Sequence, residues 1–164
     1  IGLIQSETLN DIGAQRDRGY RRALTDNGIG VRAERVHGIG HWSDASYATM
    51  RRILSHGRPP TAMVCASDVL ALGVLAAAQD HGLRIPRDLS VVGFGDEGYF
   101  TSPQLSSVRI PVAEMGRAAA RLLAQRLDRP TSPLQRLAFS GEWISRASCD
   151  CPNDQSVSTA SDGR

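Results

Sequence analysis

Three groups of polar residues follow apolar runs and carry the side chains able to do chemistry: Gln5 to Asp11, Ser67-Asp68, and Gly95-Asp96-Glu97. Amides, hydroxyls and carboxylates at such places hold a polar small molecule by hydrogen bonds. Covalent chemistry needs more. Asp96 and Glu97 are adjacent, and adjacent side chains rarely converge on one bond, so paired-carboxylate catalysis is unsupported. No Gly-x-Ser-x-Gly elbow, phosphate loop or metal-spaced histidine cluster is present. Gly93-Phe94-Gly95 lacks the third glycine of a dinucleotide loop. Arg16 offers a planar fork of donors, but with Arg18, Arg21 and Arg22 nearby its chemistry alone reads as a solvated helix arginine. Cys65 lies in the apolar run Met63 to Ala66 and reads as a buried small hydrophobe. Cys149 and Cys151 form a Cys-x-Cys pair in a polar tail; with Asp150 alone beside them they make no metal site. No metal and no cofactor is expected, and the reading is of a binding protein, not an enzyme.

The elements that must position these groups alternate between strand and helix. Ile1 to Ile4, Thr61 to Ala66 and Leu89 to Phe94 are short continuous apolar runs, as buried parallel strands require. Val31 to Val36 alternates like a half-exposed strand. A helical pattern runs through Leu24 and closes at Gly28 and Gly30. A second helix, Asp44 to Ser55, is expected behind a Ser43 cap, with Tyr47, Met50, Ile53 and Leu54 on one face. A third runs from Val69 to Asp80, capped by Ser67 or Asp68 and ended by Gly82. A short strand near Ser107 to Ile110 leads to Pro111 in the first turn of a helix ending at Leu127. Leu137 to Phe139 and Glu142 to Ile144 read as final strands. The fold class is therefore α/β, a parallel sheet with helices on both faces. Ligands in such sheets sit beyond the carboxyl ends of the strands, where the three polar groups lie.

The 164 residues suffice for one domain, or for one lobe of a two-lobed unit. All nineteen basic residues are arginine, and the net charge of +2 is spread without a block that would mark a nucleic-acid arm. No apolar run approaches a membrane span. Three cysteines without a framework favour a reducing compartment.

The ordered motifs resemble the LacI/GalR transcription regulators. Pro60-Thr61-Ala62 through Ser67-Asp68 to Ala71 and Gly73 is similar to their PTAxxxxNDxxAxG segment. Gly82 to Asp96, with Ile85-Pro86 and Ser90-Val91-Val92-Gly93-Phe94, resembles GxxVPxDxSVVGFDD. Arg16 to Leu24 resembles RxxGxxxAL, Leu105 to Gly116 resembles LTTVxxxxxxMG, and Arg146-Ala147-Ser148 matches the terminal RxS. The resemblance implies a periplasmic-binding-protein-like fold of two lobes with a sugar or nucleobase-like effector between them. It implies an effector-binding domain over residues 1–148, mostly the C-terminal lobe, crossing to the N-terminal lobe at about 107–128; the tail over 149–164, rich in Ser, Asp and Asn without apolar periodicity, is expected to be disordered on its composition. It also implies a homodimer in the cytoplasm that touches DNA only through a helix-turn-helix domain outside this chain, and no membrane.

Four positions carry over as ligand-binding. Arg16 matches the arginine that holds effector hydroxyls or carboxylate. Trp42 stands where an aromatic often lies against a sugar face, or else packs as a staple before the next helix. Ser67 replaces an asparagine and either contacts ligand or caps its helix. Asp96 matches the second aspartate of GFDD, while Gly95 replaces the first. Gln5, Glu7 and His41 are further candidates, and Asp68 is read as structural. The Val69–Asp80 helix is apolar around most of its surface, which is the sequence ground for the dimer. The alternative is a solute receptor of a transport system built on the same fold.

Overall fold

The computed structural model describes residues 1–7, 11–56 and 59–150. The strands are β1 (Gly2–Ser6), β2 (Val36–Ile39), β3 (Ala62–Cys65), β4 (Ser90–Gly95), β5 (Ser106–Arg109) and β6 (Glu142–Ile144). The helices are α1 (Asp11–Asp26), α2 (Ser43–Ser55), α3 (Asp68–Asp80) and α4 (Val112–Asp128). One six-stranded sheet runs β2-β1-β3-β4-β5-β6. All neighbours are parallel except β6, which returns antiparallel on β5.

The strands are apolar on both sides because both faces are covered. Leu3 pairs with Val36 and Val64, and this row packs under Tyr20 and Leu24 of α1. Ile4, Met63, Cys65 and Val91 point the other way, into the larger core closed by Met50 of α2 and Leu70, Val74 and Ala77 of α3. Each fully buried aliphatic of this kind stabilises the fold by about 1.5–3 kcal/mol before ordering costs are counted. Burial also pushes the Cys65 thiol's pKa up, followed by the nearby Asp68 charge, so Cys65 is an inert core residue.

Helices α1 and α3 end alike. At Gly28 (φ +69°) and Gly82 (φ +72°) the chain takes the left-handed conformation. The next amides reach back: Ile29 N–H to the Leu24 carbonyl at 2.9 Å, Leu83 N–H to the Ala78 carbonyl at 3.0 Å. These are Schellman closures, and they free the chain to re-enter the sheet. Helices α2 and α3 approach closely at Gly73, where an added Cβ would meet the Ser43 carbonyl, the Ser46 hydroxyl and the Tyr47 amide. The apolar surplus of α3 is thus covered in good part by α2 within the same chain.

Several local expectations change. Val31–Val36 is not a strand: Ala33–Arg35 forms a 3-10 turn, and the edge strand is Val36–Ile39. Trp42, not Ser43, is the N-cap of α2, and no side chain caps it. Pro111 is the N-cap of α4, one residue ahead of the helix. Leu137–Phe139 forms no strand; the edge of β5 that could pair it is already taken by β6. Helix α4 is amphipathic, yet Ala118 is its only buried residue among the described residues.

After β6 the chain docks between β4 and β5. The Ser148 hydroxyl donates to the Val91 carbonyl at 2.6 Å and accepts from the Ser106 amide at 2.8 Å. Val91 N–H returns a bond to the Ser148 carbonyl at 2.7 Å. Order continues through Cys149 and Asp150; Cys151 and the rest of the expected tail lie outside the described residues.

Candidate functional site

Parallel register sets a row of residues at the carboxyl edge. Leu3 pairs with Val64 and Val64 with Val92, so two residues on, Gln5, Ala66 and Phe94 line up across β1, β3 and β4. The Ala66 amide donates to the Ile4 carbonyl at 2.8 Å, which continues the ladder. Gln5 and Phe94 share the parity of Leu3 and Val92, so both face the α1 side.

Arg16 reaches this row from α1. Its Nη1 donates to the Ala66 carbonyl at 2.6 Å, and its guanidinium stacks 4.1 Å over the centre of the Phe94 ring. Burial pulls its pKa below the usual value, but an arginine so placed stays charged. Among the described residues it has no carboxylate partner. Beside it the buried Gln5 Oε1 has no hydrogen-bond partner among the described residues. The rim therefore presents the Arg16 guanidinium, a charged planar donor of the kind that a hydroxyl-rich or heterocyclic ligand engages.

Ser67 adjoins Ala66. Its hydroxyl caps α3 by accepting from the Leu70 amide at 3.4 Å, so the capping reading accounts for it. Trp42 is 72% exposed, which rules out a packed staple and leaves its ring free at the end of β2. There Ser6 Oγ and His41 Nε2 lie 3.1 Å apart.

Asp96 is engaged elsewhere. Its side chain is only 7% exposed, with Oδ2 2.7 Å from Arg109 Nε and Oδ1 2.7 Å from an Arg146 guanidinium nitrogen. Arg109 also lies 3.4 Å from Glu142. The cluster binds the tip of β4 to β5, β6 and the returning chain. Burial opposes ionisation of Asp96, but hydrogen bonds from Arg146 and Arg109 outweigh it and hold the carboxyl below its ordinary 3.8. A lowered folded value means the pairs stabilise fully above the unfolded carboxyl range and are lost as pH falls through the folded value. Thermal melts taken from neutral pH to about pH 2 are expected to show Asp96→Asn less stable at neutral pH and flatter on the acid limb. Parallel acid limbs in the two proteins would remove Asp96 from the account.

Asp68 is structural, as expected, but its partners lie beyond its own helix. Oδ1 accepts from the Ser107 hydroxyl at 2.6 Å, and Oδ2 accepts from the Glu97 amide at 2.9 Å. Gly93 leaves the space this carboxylate fills, since a Cβ there would meet Asp68 Oδ1. A cavity of about 200 Å³ opens on this side, lined by Asp68, Asp96, the 98–101 loop, Gln104, Leu105 and Arg146. Arg16, Trp42 and Ser67 do not line it, and it is smaller than most ligand pockets.

Gly95 has φ +133°, and a Cβ would press on Glu97 Cγ at 3.1 Å. The loss of the first aspartate is thus built into the backbone. Gly95→Asp is expected to cost about 1–3 kcal/mol, read from a denaturant midpoint; an unchanged midpoint would show that the backbone relaxes freely. Sequence reasoning missed Phe94, Arg109 and Arg146 as site residues. Only the place of Phe94 at a strand end pointed to it; the arginines required the three-dimensional pairing.

The sequence profile of the periplasmic binding protein-like domain family matches residues 1–149. Catabolite control protein A of Priestia megaterium is 36% identical over 120 residues, covering 72% of this chain and 36% of that protein. The HTH-type transcriptional repressor PurR of Erwinia tasmaniensis is 32% identical over 151 residues, covering 90% of this chain and 44% of that protein. The chain thus spans less than half the length of these relatives, matching their C-terminal part. Among solved structures, a transcriptional regulator CelR–cellobiose complex superposes with a TM-score of 0.84 at 31% identity, over 90% of this chain and 46% of that one. The Escherichia coli transcriptional repressor ascG gives 0.81 at 27%, over 92% and 55%. The motifs, the sheet order and these likenesses agree: the chain belongs to the periplasmic-binding-protein-like domain family, in the branch that forms the C-terminal region of LacI-type transcription regulators.

Proposed function

We propose that this chain is the effector-sensing part of a LacI/GalR-type regulator, taking a sugar or nucleobase-like molecule at the carboxyl edge of its sheet. One observation carries the reading: the half-buried Arg16 charge at the carboxyl edge of the sheet, held by the Ala66 carbonyl and the Phe94 ring, with no carboxylate to neutralise it among the described residues. Arg16 holds the effector by its free guanidinium nitrogens, the exposed Trp42 ring stacks on an apolar ligand face, and Ser67 borders the site. Asp96 serves it by fixing the β4 tip through Arg109 and Arg146. The rest of the cleft comes from an N-terminal lobe, toward which the chain crosses at about 107–128. DNA is contacted by a domain outside this chain. Effector binding shifts the regulator only through different affinities for its two states, so no catalytic step is involved.

The regulator acts as a cytoplasmic homodimer. Support comes from Phe100, whose ring is fully exposed, with Tyr99 beside it. Among the described residues no helix is long and apolar enough to cross a membrane.

The test is a thermal-shift panel on the full-length regulator, with cellobiose, other mono- and disaccharides, and purine bases. One class is expected to stabilise it, by about 2.7 kcal/mol at a hundredfold excess over Kd. Turnover of any of these compounds would overturn the reading, as would a panel in which no class shifts the melt.

A further inference from the structure

A second cavity lies at the opposite end of the sheet from Arg16. Helix α2 starts at the carboxyl end of β2 and runs back, so its last turn sits beside the strands' amino ends. There Arg35, His37, Arg52 and His56, with Glu34 and Ile53, line a cavity of about 410 Å³. Its composition is lopsided: two guanidiniums and two imidazoles face one carboxylate.

We propose that this cavity binds the phosphate-type oxyanion of a small metabolite, at a site distinct from the effector rim.

Three features carry it. First, Arg52 is exposed on α2 and has no carboxylate partner among the described residues, so its planar fork is open for bidentate contact with an oxyanion. Second, the helix end has been made tolerant of negative charge. Last-turn carbonyls normally repel an anion. Here Arg51's carbonyl accepts from the Ser55 hydroxyl at 2.9 Å, Arg52's lies 2.7 Å from His56 Nδ1, and Ile53's accepts from the His56 amide at 3.4 Å. With Nδ1 turned to that carbonyl, the His56 ring closes the helix end and lines the cavity with its other edge. Third, His37 on β2 is half-buried among positive charge. Burial first, then Arg52 and Arg35, hold its pKa below the usual range. An anion in the cavity relieves that repulsion and lets the imidazole take a proton and donate. The groups facing His37 are Glu34 and Arg35 from the 3-10 turn and Arg52 and His56 from α2. The volume exceeds that of a bare phosphate and suits a phosphorylated metabolite of modest size.

The probe is inorganic phosphate, titrated into the full-length chain against sodium chloride at matched ionic strength, with the His37 and His56 ring resonances followed by NMR. A saturable phosphate shift is expected, tighter at mildly acidic pH, and about tenfold weaker in Arg52→Gln, the loss of one charge-assisted pair. Arg18→Gln, on α1 and outside the cavity, is expected to bind phosphate as the parent does. Should Arg52→Gln disturb folding, His56→Asn at the exposed helix end gives the same reading. Shifts that follow ionic strength equally with chloride would overturn the proposal. So would a saturable site that survives both substitutions. The effector response belongs to the other end of the sheet, so its success or failure leaves this outcome unaffected.

Discussion

Replacing Asp68 with alanine is expected to destabilise the fold by about 3–4 kcal/mol, two hydrogen bonds to a buried charged acceptor at about 1.5–2 kcal/mol each. Asp68 is 2% exposed. Its two oxygens join three elements at once: the start of α3, the amide of Glu97 beyond β4, and the Ser107 hydroxyl on β5. Alanine would leave the Glu97 amide without its acceptor and take from α3 a carboxylate that favours its N-terminus. The vacated space would open against Gly93, which has no side chain to fill it. Asparagine keeps the shape and one acceptor, so Asp68→Asn is expected to lose roughly half as much, about 1–2 kcal/mol. Denaturant midpoints at constant m-value give both numbers. Amide exchange supplies a sharper reading: the Glu97 amide should lose protection in Asp68→Ala well before the β3 amides do. A variant whose midpoint and Glu97 protection both match the parent would show that the carboxylate merely fills space.

The same residue shows what is legible in a sequence and what is not. The position of Asp68 at a helix start, after an apolar strand, was enough to mark it as structural. Its partners were not readable, because Glu97 and Ser107 are 29 and 39 residues away and meet it only once β4 and β5 lie side by side. Strands β1, β3 and β4 were plain because burial on both faces forces continuous apolar runs. Strand β2 was displaced for the opposite reason. It is the sheet edge, its residues are only half covered, and Val36-His37-Gly38-Ile39 carries a histidine and a glycine that read as loop. Val31 to Val36 had the better alternation, yet Ala33–Arg35 closes a 3-10 turn instead. Arg16 stood out only through its motif, since its neighbours Arg18, Arg21 and Arg22 are chemically identical. What separates it is reach: from its turn of α1 it alone meets both the Ala66 carbonyl and the Phe94 ring. Asp96 was read as a ligand-binding carboxylate from its motif; its two arginine partners come from β5 and the returning chain, and no local pattern announces such a cluster.

That reach makes Arg16→Ala the decisive substitution for effector binding. Two effects should separate cleanly. Without ligand, the variant loses one charge-assisted bond to a carbonyl and one stacked ring contact, together about 1–2 kcal/mol of fold stability. With ligand, it also loses the donors that no protein carboxylate occupies. If a bound hydroxyl or carboxylate accepts from those nitrogens, affinity should fall by about 30- to 150-fold, or 2–3 kcal/mol. The ligand-induced stabilisation should then vanish at concentrations that saturate the parent, beyond the drop in the unliganded melting point. Lysine keeps the charge but not the fork, and its single ammonium cannot bond Ala66 and ligand together in the same plane. Arg16→Lys is therefore expected to recover part of the unliganded stability and little of the affinity. Calorimetric titration of parent, lysine and alanine proteins decides the matter. A structural role alone predicts that all three bind equally once folded, and that result would remove Arg16 from the site. Graded loss, alanine weakest and lysine between, places the guanidinium against the effector and leaves Gln5, its unpartnered neighbour on β1, as the next residue to change.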